Sequence, residues 1–296
     1  MTLTVQAMTS STAHPSVGTF RALSYSFDVR TALPDVAALV TDLLHDLQAD
    51  PGPRVHRYEL RREKHERPYA AYVDGQLTRR VGTPLALVDE LLWHVNREAI
   101  VTPDPRIAIH ASAAVWEGQG MLFPAPANSG KTTLVSALLT RGAVYVTDEA
   151  ALLDPSSLRI HPYPKPMWMA PTAVRAVAGL QSRLRPEYRS LSRVRAYVTP
   201  KALGTTAAEG PVGINLIVFP TYRKDGRSHL EPIGRAEAVV SLARNAFDLT
   251  RFGRDGILAL SALVERARCY RLDIATVDQT MDTLHALISR KPRGYV

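Results

Sequence analysis

Gly130, Lys131 and Thr132 put backbone freedom, a long cation and a hydroxyl side by side at the end of a run of small residues. An oxyanion chain needs that combination: backbone N–H groups that small side chains leave accessible, one ammonium, and one hydroxyl within reach of a hard metal ion. The stretch Ala125, Pro126, Ala127, Asn128, Ser129, Gly130, Lys131, Thr132 and Thr133 is therefore read as binding the phosphates of a nucleoside triphosphate. Ala125 stands where G-x-x-x-x-G-K-[ST] has its first glycine, which a turn accommodates if φ stays negative there. Farther along, Val146-Thr147 leads into two acids, Asp148 and Glu149. Thr132, Asp148 and Glu149 are the candidate ligands of Mg²⁺, and Asp148 is the candidate proton acceptor for an attacking hydroxyl. A free aspartate titrates near ~3.9, so such a base is ionised but weak, contributing roughly 10²–10⁴-fold through geometry. Neighbouring residues of an extended strand point to opposite faces, so the two acids share a task only if the strand has ended.

The elements around these residues occur in the order that would position them. Met121–Pro124 reads as the strand feeding the loop, Thr132–Arg141 as a helix whose positive end faces the anion, and Ala143–Val146 as the strand leading to the acids. Ahead of them Arg106–Trp116 reads as a long strand, with Glu117-Gly118-Gln119-Gly120 as the turn of an antiparallel hairpin. His110 lies in that strand. A strand histidine is ordinarily a satisfied core group, but the hairpin carries this one towards the loop, where it could meet phosphate or metal. Lys165 sits within Pro162-Tyr163-Pro164-Lys165-Pro166, a stiff extended run that is either a solvent-facing turn or a pre-positioned cation for the transferring or accepting group.

The remaining chain is mixed α/β. Residues 1–18 read as a loose leader. Residues 19–103 form a small α+β module: Phe20–Val29 as a strand, a helix from Pro34 stopped at Pro51-Gly52-Pro53, strands Val55–Leu60, Tyr69–Val73 and Gln76–Val81, and a helix capped by Thr83-Pro84. Residues 104–296 hold the loop and continue with a strand pair, Ala151–Asp154 and Leu158–Tyr163, a helix Pro171–Leu180 and a buried strand Ile214–Phe219. Helices Ala236–Leu249, Ile257–Ala267 and Val277–Ser289 complete the chain. Arg183, Arg185, Arg189, Arg193, Arg195 and Lys201 make an arginine-dense run, read as a solvated face or as a segment attracting anions over the site.

The chain has 296 residues and a formal charge of +8, carried by arginine more than lysine. That balance favours an anionic ligand or acidic partner. Nucleic acid is the weaker reading, since no binding motif accompanies the charge. The single cysteine, Cys269, excludes an internal disulfide, fits a reducing cytoplasm, and is read as a small core residue at a helix end. No apolar run reaches membrane-spanning length, so neither membrane insertion nor a membrane partner is expected.

The motifs Ile109-His110-Ala111-Ser112-Ala113, Pro124–Thr133, Tyr145-Val146-Thr147-Asp148-Glu149, Pro162–Pro166 and Cys269-Tyr270-Arg271-Leu272 together resemble the HPr kinase/phosphorylase superfamily, whose nucleotide fold is shared with phosphoenolpyruvate carboxykinase. The resemblance spans about residues 106–290. Within it the nearest group is the HPr-kinase-like proteins of bacterial peptide natural-product clusters, some of which phosphorylate a serine of a precursor peptide. It implies ATP and Mg²⁺, Lys131 on the phosphates, Thr132 on the metal, His110 near the γ-phosphate and Asp148 as base. Asp-Glu stands where HPr kinases carry Asp-Asp. The segment those enzymes use for phosphate-driven reversal is not seen here. The resemblance also leaves room for a homo-oligomer.

The expected function is an ATP-dependent kinase with an alcohol acceptor, Ser or Thr of a peptide or small protein, the N-terminal module serving that acceptor. A small-molecule hydroxyl kinase and a nucleotide-binding regulator with little turnover stay open as alternatives.

Overall fold

The computed structural model describes residues 14–52, 55–184, 196–223 and 226–289. The first part of the expected leader and Arg185, Arg189, Arg193 and Arg195 lie outside them. Among the described residues the chain is a mixed α/β protein built on two large sheets and a small two-stranded one.

The N-terminal elements are β1 (Ser16–Ala22), β2 (Tyr25–Thr31), α1 (Pro34–Leu43), β3 (His56–Arg62), β4 (Tyr69–Val73), β5 (Gln76–Val81) and α2 (Pro84–Val101). The strands pair in sequence order into a five-stranded sheet. Two expectations fail here. Ser16 to Gly18 are not leader but the start of β1, and Phe20–Val29 is not one strand but parts of two, folded into a hairpin about Leu23 and Ser24. Proline at the first turn starts both helices, and the Thr83 hydroxyl accepts the Ala86 N–H at the head of α2. Phe20, Phe27, Tyr58 and Leu60 pack under Val36, Val40, Leu87, Val88 and Leu91. Ala150, Tyr163 and Tyr197, from much later in the chain, belong to the same cluster, so the two parts share a core.

The second part runs β6 (Ile107–Trp116), β7 (Gln119–Pro124), α3 (Lys131–Leu139), β8 (Val144–Thr147), β9 (Ala150–Leu153), β10 (Arg159–His161), β11 (Met167–Met169), α4 (Pro171–Ala176), α5 (Leu180–Arg183), β12 (Ala196–Val198), β13 (Val212–Gly213), β14 (Leu216–Tyr222), β15 (His229–Pro232), α6 (Arg235–Asn245), α7 (Gly253–Arg266), β16 (Arg268–Ile274) and α8 (Val277–Ser289). Nine of these strands form one sheet in the order β13-β10-β9-β6-β7-β14-β16-β15, with β8 also on β6. Strand alternation decides which helices cover which face. Ala114, Trp116, Met121, Phe123, Leu216 and Val218 turn to α3 and α8, whereas Ile109, Ala113, Leu122 and Ile217 turn to α6 and α7. Gly120 is required by close approach, since a Cβ there would lie 1.9 Å from the Gly213 carbonyl oxygen.

Helical expectations shift at several ends. The helix expected over Pro171–Leu180 breaks into α4 and α5, and the one expected over Ala236–Leu249 stops at Asn245. Cys269 is on β16 rather than a helix end; burial pushes its thiol up to about 11, which marks it as inert packing. Among the described residues no helix is long and apolar enough to cross a membrane.

Candidate active site

β6 is the ruler of the site. On one side it pairs antiparallel with β7, Ser112 opposite Phe123 and Ala111 opposite Pro124. On its other side β8 and β9 pair antiparallel in turn, Ala113 opposite Thr147 and His110 opposite Ala150. Asp148 and Glu149 fall between those two stretches, level with Ser112 and Ala111. The phosphate-loop candidate leaves the end of β7 at the same height. Loop and acids are therefore brought to one edge of the sheet, separated by a single strand.

The interruption of the ladder at Asp148 and Glu149 answers the parity problem. The regular strand has ended at Thr147, so both acids serve one side. The Asp148 carboxylate accepts the Ser112 hydroxyl at 2.6 Å on Oδ1 and the Thr132 hydroxyl at 2.9 Å on Oδ2. Glu149 lies 3.5 Å from Lys165 Nζ and 3.9 Å from His110 Nε2. The extended segment before Lys165 is tied down by the Tyr163 N–H to Val146 O and by Tyr145 Oη donating to the Lys165 carbonyl. Lys165 is therefore a positioned cation, not a solvent-facing turn residue. His110, Lys131, Thr132, Asp148, Glu149 and Lys165, six residues from four stretches of chain, are thereby brought close together.

In the loop, Ala125 is buried and its φ is not positive; the left-handed positions are Asn128 at 64° and Gly130 at 92°. Gly130 heads α3, so the first N–H groups of that helix face the loop interior. Lys131 is 6% exposed and donates to the carbonyls of Ala125 at 2.6 Å and Pro126 at 2.7 Å. Its ammonium is held against the loop's own oxygens. The Ser129 hydroxyl is buried and has no hydrogen-bond partner among the described residues. An orphaned donor of this kind is rare and costs about 1–3 kcal/mol until an acceptor meets it.

The electrostatics follow burial. Asp148, expected to titrate as an ordinary carboxylate, is pushed upward by desolvation; Lys165, Ser112 and Thr132 pull against that shift. A raised carboxylate is the stronger base. Burial also lowers Lys131, opposed by Asp148 and Glu149. His110 is lowered by burial first and by Lys131 and Lys165 next, Glu149 opposing, so the neutral imidazole is favoured. Its ring rests against Phe247 at 5.5 Å between centroids.

Sequence reasoning overlooked the role of Ser112. Ser112 was findable: it is two residues from His110 on one strand, hence on the same face. Among the described residues no three His, Cys, Asp or Glu side chains gather into a metal site. Thr132 Oγ1 and Asp148 Oδ2 meet at 2.9 Å and the Glu149 carboxylate is near enough to act on Asp148; all three are hard oxygens of the type that suit Mg²⁺ when substrate phosphates and water complete its shell. No protein-family model matches the chain, and no curated protein matches it in sequence. What the molecule itself defines is a mixed α/β protein with a strand–loop–helix turn faced by two acids.

Proposed function

We propose that the protein is an ATP-dependent phosphotransferase of the HPr kinase and phosphoenolpyruvate carboxykinase fold type, moving the γ-phosphoryl group to a hydroxyl of a peptide or small protein. The observation that carries this reading is the Thr132–Asp148 hydrogen bond, 2.9 Å long, at the head of α3 beside the buried Lys131. It joins a polyphosphate cradle to a carboxylate of raised basicity, as transfer to an alcohol requires.

The loop N–H groups and Lys131 hold the phosphates and spread their charge. Thr132, Asp148 and Glu149 would hold Mg²⁺, which when bound neutralises phosphate charge and orients the terminal group. Asp148 takes the proton of the acceptor hydroxyl as its oxygen bonds to the γ-phosphorus. The bond from that phosphorus to the bridging oxygen breaks, and ADP leaves with the electron pair. Lys165 and the neutral His110 flank the terminal phosphate, with Glu149 restraining both. The proton then passes from Asp148 to solvent.

The test is incubation with γ-labelled ATP, Mg²⁺ and serine-containing peptides, followed by mass analysis for one added phosphate. Wild type is expected to label a peptide, and Lys131→Met to lose nucleotide binding and labelling together. Tight ATP binding with no label on any acceptor would overturn the kinase reading.

A further inference from the structure

A trough of about 560 Å³ runs between the N-terminal module and the nucleotide site. Along one wall, Ala86, Glu90, Trp93 and Asn96 recur on a single stripe of α2. Ten residues of helix make that wall about 15 Å long, the span of about four or five residues of extended chain. The lining also carries Trp168, Lys165 and Glu149, so the trough reaches Glu149, the chain neighbour of Asp148. The shape suits an extended segment.

Its chemistry narrows the guest. Trp93 and Trp168 are 54% and 43% exposed, though large aromatic groups ordinarily bury their faces. Among the described residues the two cations of the lining are each paired with a carboxylate of the lining, Arg79 with Glu90 at 3.2 Å and Lys165 with Glu149 at 3.5 Å. Neither is left over to pair with an acidic side chain of the guest. Recognition is left to apolar contact with the tryptophans and to backbone hydrogen bonds.

Resting on the kinase reading above, we infer that this trough is the acceptor site: it takes an extended peptide whose serine or threonine reaches Asp148 past Glu149 while a neighbouring aromatic or long aliphatic side chain lodges between Trp93 and Trp168. The N-terminal module thereby selects the substrate, supplying one wall of the site.

The test uses the full chain and capped hexapeptides with one serine, each other position set in turn to Phe, Leu, Ala, Glu or Lys. At one fixed position Phe and Leu are expected to exceed Glu and Lys by roughly 10-fold or more in kcat/KM. Trp93→Ala and Trp168→Ala are expected to flatten that preference through KM, and Trp93→Phe to keep it. A hexapeptide with benzoylphenylalanine at that position gives an independent readout, expected to photocrosslink to α2 and to residues 163–168. Labelling with an unchanged preference in both alanine variants, or crosslinks elsewhere, overturns the acceptor trough and leaves the kinase reading intact. Crosslinking to the trough without any phosphate transfer overturns the kinase reading and shows the trough to bind peptide for another purpose.

Discussion

Ser112 Oγ, fully buried on β6, donates to Asp148 Oδ1 at 2.6 Å across the gap that separates β8 from β9. This contact fixes the carboxylate so that its other oxygen meets Thr132. It also pulls Asp148 downward against the larger effect of burial. Ser112→Ala removes the donor and leaves a buried oxygen unpaired. Asp148 then titrates higher, so the acid limb of the kcat profile is expected to move to higher pH while nucleotide affinity changes less than about 3-fold. Stability should fall by about 1–3 kcal/mol. An acid limb unmoved by the substitution would show that Asp148 is not the titrating base.

The spacing of Lys131, Asp148 and His110 made the site legible because each belongs to a strand or helix end whose period is readable. Turns that break their own chemistry were not. Leu23 occupies the left-handed region at φ 59°, where glycine or asparagine would have announced a turn, so β1 and β2 read as a single strand. The pairing of β8 with β6 was equally hidden, since sequence period fixes which face a residue shows and not which strand lies beside it. Lys165 could not be decided from its prolines alone, because its position depends on the Tyr163–Val146 hydrogen bond.

Ala125 replaces a glycine without needing glycine's freedom, as its φ is not positive. Ala125→Gly therefore gains nothing in the folded loop and adds entropy to the unfolded chain. Stability is expected to fall by about 0.4–1 kcal/mol, with ATP affinity within about 2-fold of wild type by calorimetry. Asn128, at φ 64°, should behave in the opposite sense: Asn128→Gly is tolerated, while Asn128→Val strains the loop and weakens ATP binding by roughly 10-fold or more. A gain in affinity for Ala125→Gly would mean that the loop opens through a conformation not seen here.

In the N-terminal module, Tyr25 Oη, Tyr58 Oη and His94 Nδ1 form a chain with both steps at 2.8 Å. Burial lowers His94 below the ordinary imidazole value, with Arg97 adding to it and Glu98 opposing. A depressed histidine contributes stability above its unfolded value of about 6.5, and that stability is lost as pH falls through the folded value. The melting temperature of wild type is thus expected to drop between pH 7.5 and 5. His94→Gln should show a smaller drop, a remainder persisting because His110 and His161 are also lowered. Equal slopes for the two proteins would remove His94 from the acid response.

Asp148 carries the opposite sign, which lets stability report on its role. Its folded value is raised by burial, so the stability it contributes is complete below the unfolded value near ~3.9 and is lost as pH rises through the folded one. At neutral pH the ionised group is held at a cost in stability for the sake of its basicity. Asp148→Asn keeps an acceptor for Ser112 or Thr132 and removes the buried charge. Its melting temperature is expected to exceed that of wild type at pH 7, the gap closing towards pH 4, while phosphate transfer falls roughly 10²–10⁴-fold with ATP still bound. Scanning calorimetry across that range, beside a nucleotide titration of the same variant, makes the comparison. A variant less stable than wild type at pH 7, or one that transfers phosphate undiminished, would show that the carboxylate is a structural ligand of Ser112 and Thr132 and not a base held ready at the cradle.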